Sequence, residues 1–102
     1  MTMEDFEKYP LDKEVQAVVV GLDTKFTYAK LAIASLYLNT GGVQFIATND
    51  DAFDMLGDRM MPGAGGIVSS IQYTLDSSKL GKEKSQAKVI GKPNPYVIEL
   101  IC

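Results

Sequence analysis

Three short apolar runs along the chain have the length and composition of buried strands. Residues 15–22 contain an unbroken run of alanine and valine that ends at Gly21, and such a β-branched run predicts a strand that is buried on both faces. Residues 43–48 and 87–90 are similar apolar runs, and polar or turn-forming residues follow each of them. We therefore expect three strands at these places.

Segments with helical periodicity lie between and after these runs. Apolar residues recur at helical spacing over residues 28–38 and over residues 66–75, which predicts two amphipathic helices. Asn94 followed by Pro95 is a favourable helix start and predicts a third helix that runs to the end of the sequence. Residues 52–66 follow neither period and are interpreted as irregular. Strands that alternate with helices in this order predict an α/β fold of three parallel strands joined by crossovers.

The C-terminal end of the sequence predicts a truncated helix, and the N-terminal end predicts a linker. The third predicted helix has no glycine, asparagine or proline after it and no basic residue in its last turn. Helices usually end on such signals, so this one is expected to be cut off at apolar residues that need a partner. We therefore expect the chain to be a truncated piece of a larger protein. Residues 1–14 are polar and are expected to form a lead-in linker.

Composition excludes several classes of function. The 102 residues include no histidine, which removes Ser-His-Asp and Cys-His catalysis and most zinc sites. The net charge is −3 without a basic face, so no nucleic-acid partner is expected, because phosphate neutralisation needs clustered lysine and arginine. No apolar run approaches the ~18 residues of a membrane span, and the acidic start does not resemble a signal peptide. The single cysteine, Cys102, cannot form an internal disulfide, and a cytoplasmic location is therefore expected.

A glycine-rich segment, residues 63–66, opens the second predicted helix. Glycines at a helix start allow the backbone to approach an anion closely, so a nucleotide-binding loop is one interpretation. A dinucleotide-binding fingerprint, however, needs a strand directly before it, whereas Met60, Met61 and Pro62 precede the glycines here. The favoured interpretation is a tight entry into a closely packed helix.

Acidic residues cluster after the second predicted strand. Asn49, Asp50 and Asp51 end that strand, and Asp54 and Asp58 follow in the next segment. Three interpretations are open: a turn held by side-chain to backbone hydrogen bonds, a loop that contacts a substrate, or an oxygen-ligand site for a hard cation. The spacing of an EF-hand loop is absent because no glutamate closes it.

Lys92 is a candidate anion-binding residue. It follows the third predicted strand and precedes the predicted helix start at Asn94. An ammonium group beside a helix N-terminus is suited to bind a phosphate. A solvated lysine without a ligand is the alternative interpretation.

In their order and spacing, these segments resemble the haloacid dehalogenase-like phosphatases that carry a large α/β cap. This group includes 4-nitrophenylphosphatase, phosphoglycolate phosphatase and pyridoxal phosphate phosphatase. The resemblance extends over residues 15–102, nearly the whole chain. The segments that carry it are residues 18–23, 26–31, 45–51, 62–65 and 89–93.

The resemblance implies a division of the chain and the chemistry of its parent enzyme. Residues 15–86 look like the cap domain, which shields the active site and selects the substrate, and residues 87–102 look like the return to a truncated catalytic core. Relatives hydrolyse small phosphorylated metabolites with Mg²⁺, and they pair cap to cap as homodimers through a segment that matches residues 65–70. A substrate of the phosphoglycolate or 4-nitrophenyl phosphate type is implied for the parent enzyme.

The same resemblance implies roles for four residues and shows what the chain lacks. Lys92 looks like the catalytic lysine of the phosphate site, and Asn49, Asp51 and Asp54 look like substrate-binding residues on the cap. The nucleophile of the family lies in an Asp-x-Asp segment, which this sequence does not contain, and the family's Mg²⁺ ligands are absent as well. Without the nucleophile and the Mg²⁺ ligands, covalent catalysis of phosphoryl transfer is lost. We therefore expect the chain to be inactive alone.

A second class of function stays open for the same residues. A cap without its catalytic core is also suited to be a non-catalytic dimerisation or interaction module. Residues 65–75 would then form the contact helix, and the chain would associate with itself in a concentration-dependent way.

Overall fold

The computed structural model describes residues 1–77 and 87–89 and the backbone of residues 98–101. The helices and strands, in chain order, are α1 (Met3–Glu7), β1 (Ala17–Val20), α2 (Tyr28–Leu38), β2 (Gln44–Ala47), β3 (Phe53–Leu56), β4 (Arg59–Pro62), α3 (Ala64–Ser77), β5 (Lys88–Val89) and β6 (Ile98–Ile101). None of the helices in this described part combines the length and the hydropathy that crossing a membrane requires.

Four strands form one sheet, in the order β5-β2-β1-β6. β1 pairs in parallel with β2, with Val18 opposite Phe45, and β2 pairs in parallel with β5, with Ala47 opposite Val89. β6 pairs with β1 in the antiparallel direction. The predicted α/β class and its three parallel strands are confirmed, and α2 and α3 lie in the connections that parallel neighbours need.

Both long helices cover the same face of this sheet. Val18, Val20 and Ala47 are fully buried on that face. Side chains alternate between the two faces of a strand, and Val19, on the opposite face, is only partly buried. The prediction that β1 is buried on both faces is therefore wrong at Val19. The largest fully buried side chains are Phe45, Leu38, Ile71, Leu75, Val18 and Val20.

The two helices predicted from periodicity are confirmed. α2 has the predicted bounds and begins after Thr27, whose hydroxyl accepts a hydrogen bond from the Lys30 N–H at 3.2 Å, as an N-cap residue does. α3 begins earlier and ends later than predicted, at Ala64 and Ser77. Its first turn consists of alanine and glycine, which contribute nothing to an apolar period.

Residues 1–14 contact the core of the domain. The Asp12 N–H donates a hydrogen bond to the Tyr37 hydroxyl at 2.9 Å, and Tyr9 and Leu11 pack against the buried cluster. α1 lies within this segment and is five residues long. A helix of this length is too short to show a period in the sequence.

The helix predicted after Asn94 is wrong where the structure describes that segment. Residues 98–101 form the strand β6. Val97, Ile98 and Ile101 are β-branched, and such residues favour strands, whereas a run this short cannot distinguish a helix from a strand by its period. The inference that the chain stops inside a helix loses its basis. Residues 90–97 lie outside the described part.

Residues 52–66, interpreted as irregular, contain a β-hairpin and the start of α3. β3 and β4 pair in the antiparallel direction and are joined by Gly57 and Asp58. All residues of both strands are exposed, so no alternation of apolar and polar residues marks them. A glycine at the first of two connecting residues is nevertheless a hairpin signal, and Gly57 has a φ of 64°.

Two glycines allow the start of α3 to lie directly against the loop after β2. The Gly65 N–H donates to the Asp51 carbonyl at 2.7 Å, and the Gly63 N–H donates to the Ala52 carbonyl at 3.1 Å. A Cβ on Gly65 would lie 2.5 Å from the Asp50 carbonyl oxygen. The interpretation of the glycine run as a tight helix entry is confirmed, since backbone and not a ligand lies against these two glycines.

Gly65→Ala is expected to destabilise the fold by roughly 1–3 kcal/mol, because the new methyl group must displace the carbonyls of Asp50 and Asp51. Gly66→Ala is the matched control: its Cβ would have no atom within 4 Å, and alanine favours a helix over glycine by about 1 kcal/mol. Urea denaturation followed by circular dichroism should place the two variants on opposite sides of the wild type. Equal stability of both variants would contradict the close approach at Gly65.

Candidate functional site

The loops that follow β1 and β2 meet at one edge of the sheet. Parallel neighbours end at the same edge, and a crevice outside these ends is a common ligand site in α/β folds. Here the hairpin β3–β4 and the first turns of α3 form the other side of the crevice. The resulting open cavity has a volume of about 1020 Å³.

Apolar and acidic side chains line this cavity. The apolar lining residues come from the loop after β1, the hairpin and α3: Leu22, Phe26, Met55, Leu56, Met61 and Ile67. The polar lining residues are Asp23, Thr24, Asn49, Asp51, Asp54 and Ser70. A concave, largely apolar surface with a few convergent polar groups is typical of small-molecule sites.

The structure brings together the three residues predicted to bind the substrate. Asn49 and Asp51 lie in the loop after β2, Asp54 lies on β3, and all three line the cavity. Lys92, the predicted catalytic lysine, lies outside the described residues. The roles of these four residues in binding and catalysis stay predictions.

Asn49 is held in place by a turn and presents its amide to the cavity. Its side-chain Oδ1 accepts a hydrogen bond from the Asp51 N–H at 3.1 Å, which confirms the turn interpretation of this loop. Asn49 is only 8% exposed, and its Nδ2 group has no hydrogen-bond partner among the residues that the structure describes. Two N–H donors are therefore available to a ligand in the cavity.

Asp23 is a cavity residue that the sequence patterns did not single out as functional. Its carboxylate accepts hydrogen bonds from the Lys25 N–H at 2.8 Å and from the Lys30 ammonium at 2.6 Å. The Lys30 ammonium, followed by the Lys25 N–H, lowers the pKa of the Asp23 carboxyl below its usual value, so this group is ionised at neutral pH. The signal that could have found it is its place in the loop that follows a parallel strand, like that of Asn49.

Known proteins of similar sequence and fold are phosphatases. The human glycerol-3-phosphate phosphatase is 32% identical over 98 residues, which are 95% of this chain. The 4-nitrophenylphosphatase of Schizosaccharomyces pombe is 35% identical over 101 residues, or 99% of the chain. A solved mutant of the thermostable p-nitrophenylphosphatase of Bacillus stearothermophilus superimposes on 78% of the chain with a TM-score of 0.61 and 35% identity. These matches confirm the resemblance to the haloacid dehalogenase-like phosphatases.

The chain is much shorter than these relatives. It spans 28% of the human enzyme, 31% of the S. pombe enzyme and 28% of the solved B. stearothermophilus chain. No family model matches the sequence. The resemblance inferred from the motifs is confirmed, and the activity of a whole enzyme is a separate question.

The described residues of the chain do not fit a magnesium site. Among them, no group of three or more acidic or cysteine side chains lies close enough together to hold a metal ion. Asp23, Asp51 and Asp54 border one cavity, yet they do not converge on one point. The cation-site interpretation of the acidic segment is therefore not supported by the described residues.

Proposed function

We propose that this chain is the substrate-selecting part of a magnesium-dependent haloacid dehalogenase-like phosphatase that hydrolyses small phosphate monoesters. In this proposal, residues 15–86 form the cap domain and residues 87–102 lead back to the catalytic core. The observation that carries it is the cavity beyond β1 and β2, which Asn49, Asp51 and Asp54 line together. Similarity to phosphatases over nearly the whole chain supports it further.

The proposed chemistry divides the substrate between two sets of residues. Asn49, Asp51 and Asp54 contact the alcohol part of the ester, while Lys92 binds the phosphoryl group. The Lys92 ammonium neutralises the charge that develops on the phosphoryl oxygens in the transition state. Mg²⁺, held by residues that this chain does not contain, would supply further charge neutralisation. Esters of the phosphoglycolate and 4-nitrophenyl phosphate types are the substrates to test first.

The chain by itself is proposed to be inactive. Its sequence contains no Asp-x-Asp segment, which supplies the nucleophile in this family, and its described residues form no metal site. A lysine and a cavity can bind a phosphate ester, but they cannot form the aspartyl-phosphate intermediate without the nucleophile.

A complementation experiment tests both parts of the proposal. The chain alone is expected to show no turnover of 4-nitrophenyl phosphate in the presence of Mg²⁺. A chimera, in which the chain replaces the matching segment of the S. pombe 4-nitrophenylphosphatase, is expected to hydrolyse the same ester because it regains the catalytic core. The absorbance of the released 4-nitrophenol measures both reactions.

The control for this experiment is the S. pombe enzyme with the same segment replaced by a glycine–serine linker. It is expected to be inactive, because it lacks both the cavity and the lysine that this chain supplies. A folded chimera without activity would contradict the assignment to a phosphatase cap. Turnover by the chain alone would contradict the proposed need for a separate core.

The alternative function, a non-catalytic dimerisation or interaction module, has less support. Its contact helix falls within α3, where Val68, Ile71 and Leu75 are buried inside the chain itself. The apolar face of this helix is therefore not available to a partner. Homodimer formation through residues 65–70 stays a proposal that depends on the exposed positions of this segment.

A further inference from the structure

Three of the five methionines of the chain lie on the hairpin β3–β4. Met55 on β3 and Met60 on β4 are directly opposite each other, and Met61 is opposite Asp54. Residues that are directly opposite in an antiparallel pair lie on one face, with Cβ atoms roughly 4.5–5.5 Å apart. Met55 and Met60 therefore share one face of the hairpin, while Met61 and Asp54 share the other.

The side chains of these three methionines are exposed to solvent. The exposed fractions of Met55, Met60 and Met61 are 58%, 68% and 45%, and none of the three belongs to the buried core that the structure describes. A methionine that fills a gap in a core is buried, so core packing does not account for them. Their thioether groups are accessible to small oxidants from solvent.

Two of the three methionines belong to the wall of the cavity beyond β1 and β2. Met55 and Met61 line this cavity, whereas Met60 lies outside its described lining. Together with Leu56 of the same hairpin, Met55 and Met61 contribute to the apolar part of the lining. A change of polarity at these two side chains therefore changes the surface that a ligand in the cavity meets.

We propose that Met55 and Met61 form an oxidative modification site, at which hydroperoxides convert the thioethers to sulfoxides and so lower the affinity of the cavity for apolar ligands. In this reaction the sulfur lone pair attacks one oxygen of the hydroperoxide, a sulfur–oxygen bond forms and the oxygen–oxygen bond breaks. The sulfur is oxidised by two electrons, and the departing oxygen takes up the proton and leaves as water or an alcohol. The inference goes beyond the proposed function, since it concerns the cavity of the chain itself.

Oxidation at these positions changes the cavity without unfolding the domain. A sulfoxide makes an apolar side chain polar and disrupts a core that contains it, but the core cluster includes no methionine among the described residues. Every residue of β3 and β4 is exposed, so a sulfoxide oxygen on the hairpin stays hydrated. Methionine sulfoxide is reduced enzymatically to methionine, so the modification is reversible.

Hydrogen peroxide and a neutral fluorescent probe, N-phenyl-1-naphthylamine, test the inference on the chain itself. A Cys102→Ser background removes the single thiol, so that thiol oxidation does not contribute. Peptide mass mapping is expected to find sulfoxide at Met55 and Met61. The dissociation constant of the probe should increase roughly tenfold, because each lost apolar contact of methylene size lowers affinity by about fourfold. Methionine sulfoxide reductases should restore the original constant.

Two double variants distinguish the cavity wall from the other exposed methionines. Met55→Leu/Met61→Leu keeps the apolar volume but offers no sulfur at the wall, so its affinity for the probe should stay within about twofold after peroxide treatment. Met3→Leu/Met60→Leu removes two similarly exposed thioethers that lie outside the described lining. This variant should lose as much affinity on oxidation as the parent chain.

The inference is overturned if Met55 and Met61 stay unoxidised while Met3 reacts, or if their oxidation leaves the probe affinity unchanged. Equal responses of both double variants, or loss of the circular dichroism signal on oxidation, would overturn it as well. An unoxidised chain that does not bind the probe would contradict the apolar cavity on which the inference rests. None of these measurements needs turnover, so their failure leaves the proposed phosphatase function in place, and an inactive chimera leaves the oxidation inference in place.

Discussion

Phe45→Ala is expected to lower the free energy of unfolding by about 3–5 kcal/mol. Phe45 lies on β2, is 2% exposed and belongs to the apolar cluster between the sheet and the helices α2 and α3. Removing the ring leaves a cavity that a sheet and two helices cannot close completely. A domain of about this size loses roughly 4–8 °C in Tm for each kcal/mol, so the Tm should fall by more than about 10 °C.

Phe53→Ala is the matched control for this substitution. Phe53 lies on β3 and is 51% exposed, so the same change is expected to cost about 1 kcal/mol or less. Urea denaturation followed by circular dichroism measures both variants, since the protein contains no tryptophan. Phe45→Leu keeps most of the apolar volume and should lie between them, which preserves the test if Phe45→Ala does not fold. Equal losses in the free energy of unfolding for Phe45→Ala and Phe53→Ala would contradict the position of Phe45 in the buried core.

Lys92→Ala is expected to reduce kcat of the active chimera by about 10²–10³-fold, the usual effect of removing one group that stabilises transition-state charge. The expectation follows from the family resemblance of the segment around Lys92. KM should change less than kcat, because the charge on the phosphoryl oxygens develops mainly in the transition state. Steady-state kinetics with 4-nitrophenyl phosphate separate the two constants.

Lys88→Ala provides the comparison, since it removes the same charge from an exposed position on β5. The kcat of the Lys88→Ala chimera is expected to stay within about twofold of the kcat of the unsubstituted chimera, as is usual for surface positions. Lys92→Arg keeps the charge but changes its shape, and it should recover only part of the activity. A Lys92→Ala chimera with unchanged kcat would show that the resemblance assigns the catalytic role to the wrong residue.

Local patterns predicted the elements that are long enough or apolar enough to carry a period. Residues 28–38 place their apolar side chains on one face and form α2, while the valine run of β1 needs no tertiary information to be extended. β6 was predicted as a helix because a short apolar run is compatible with both structures. The hairpin β3–β4 was missed because both of its faces are exposed, so only its turn residues carried a signal.

Local sequence patterns also predicted part of the candidate site. Asn49 and Asp51 are polar residues that follow a predicted strand, and the ends of parallel strands meet at one edge of a sheet. Asp54 belonged to the acidic cluster whose role the patterns left open, and only the resemblance assigned it to substrate binding. No role was assigned to Asp23 from the sequence, although this residue lines the same cavity as Asn49.

The order of polar and apolar residues was sufficient to decide both long helices, because their contacts repeat within a few residues. It also decided the α/β class and the direction of the parallel strands, because strands that alternate with helices are joined by crossovers. Which face of the sheet the helices cover, the antiparallel direction of β6 and the position of the hairpin over the crevice depend on residues far apart in sequence. Asp23 and Asp54 border the same cavity only because the chain between them crosses the sheet and returns. That meeting is set by the packing of α2 and α3 on the strands, and no local pattern encodes it.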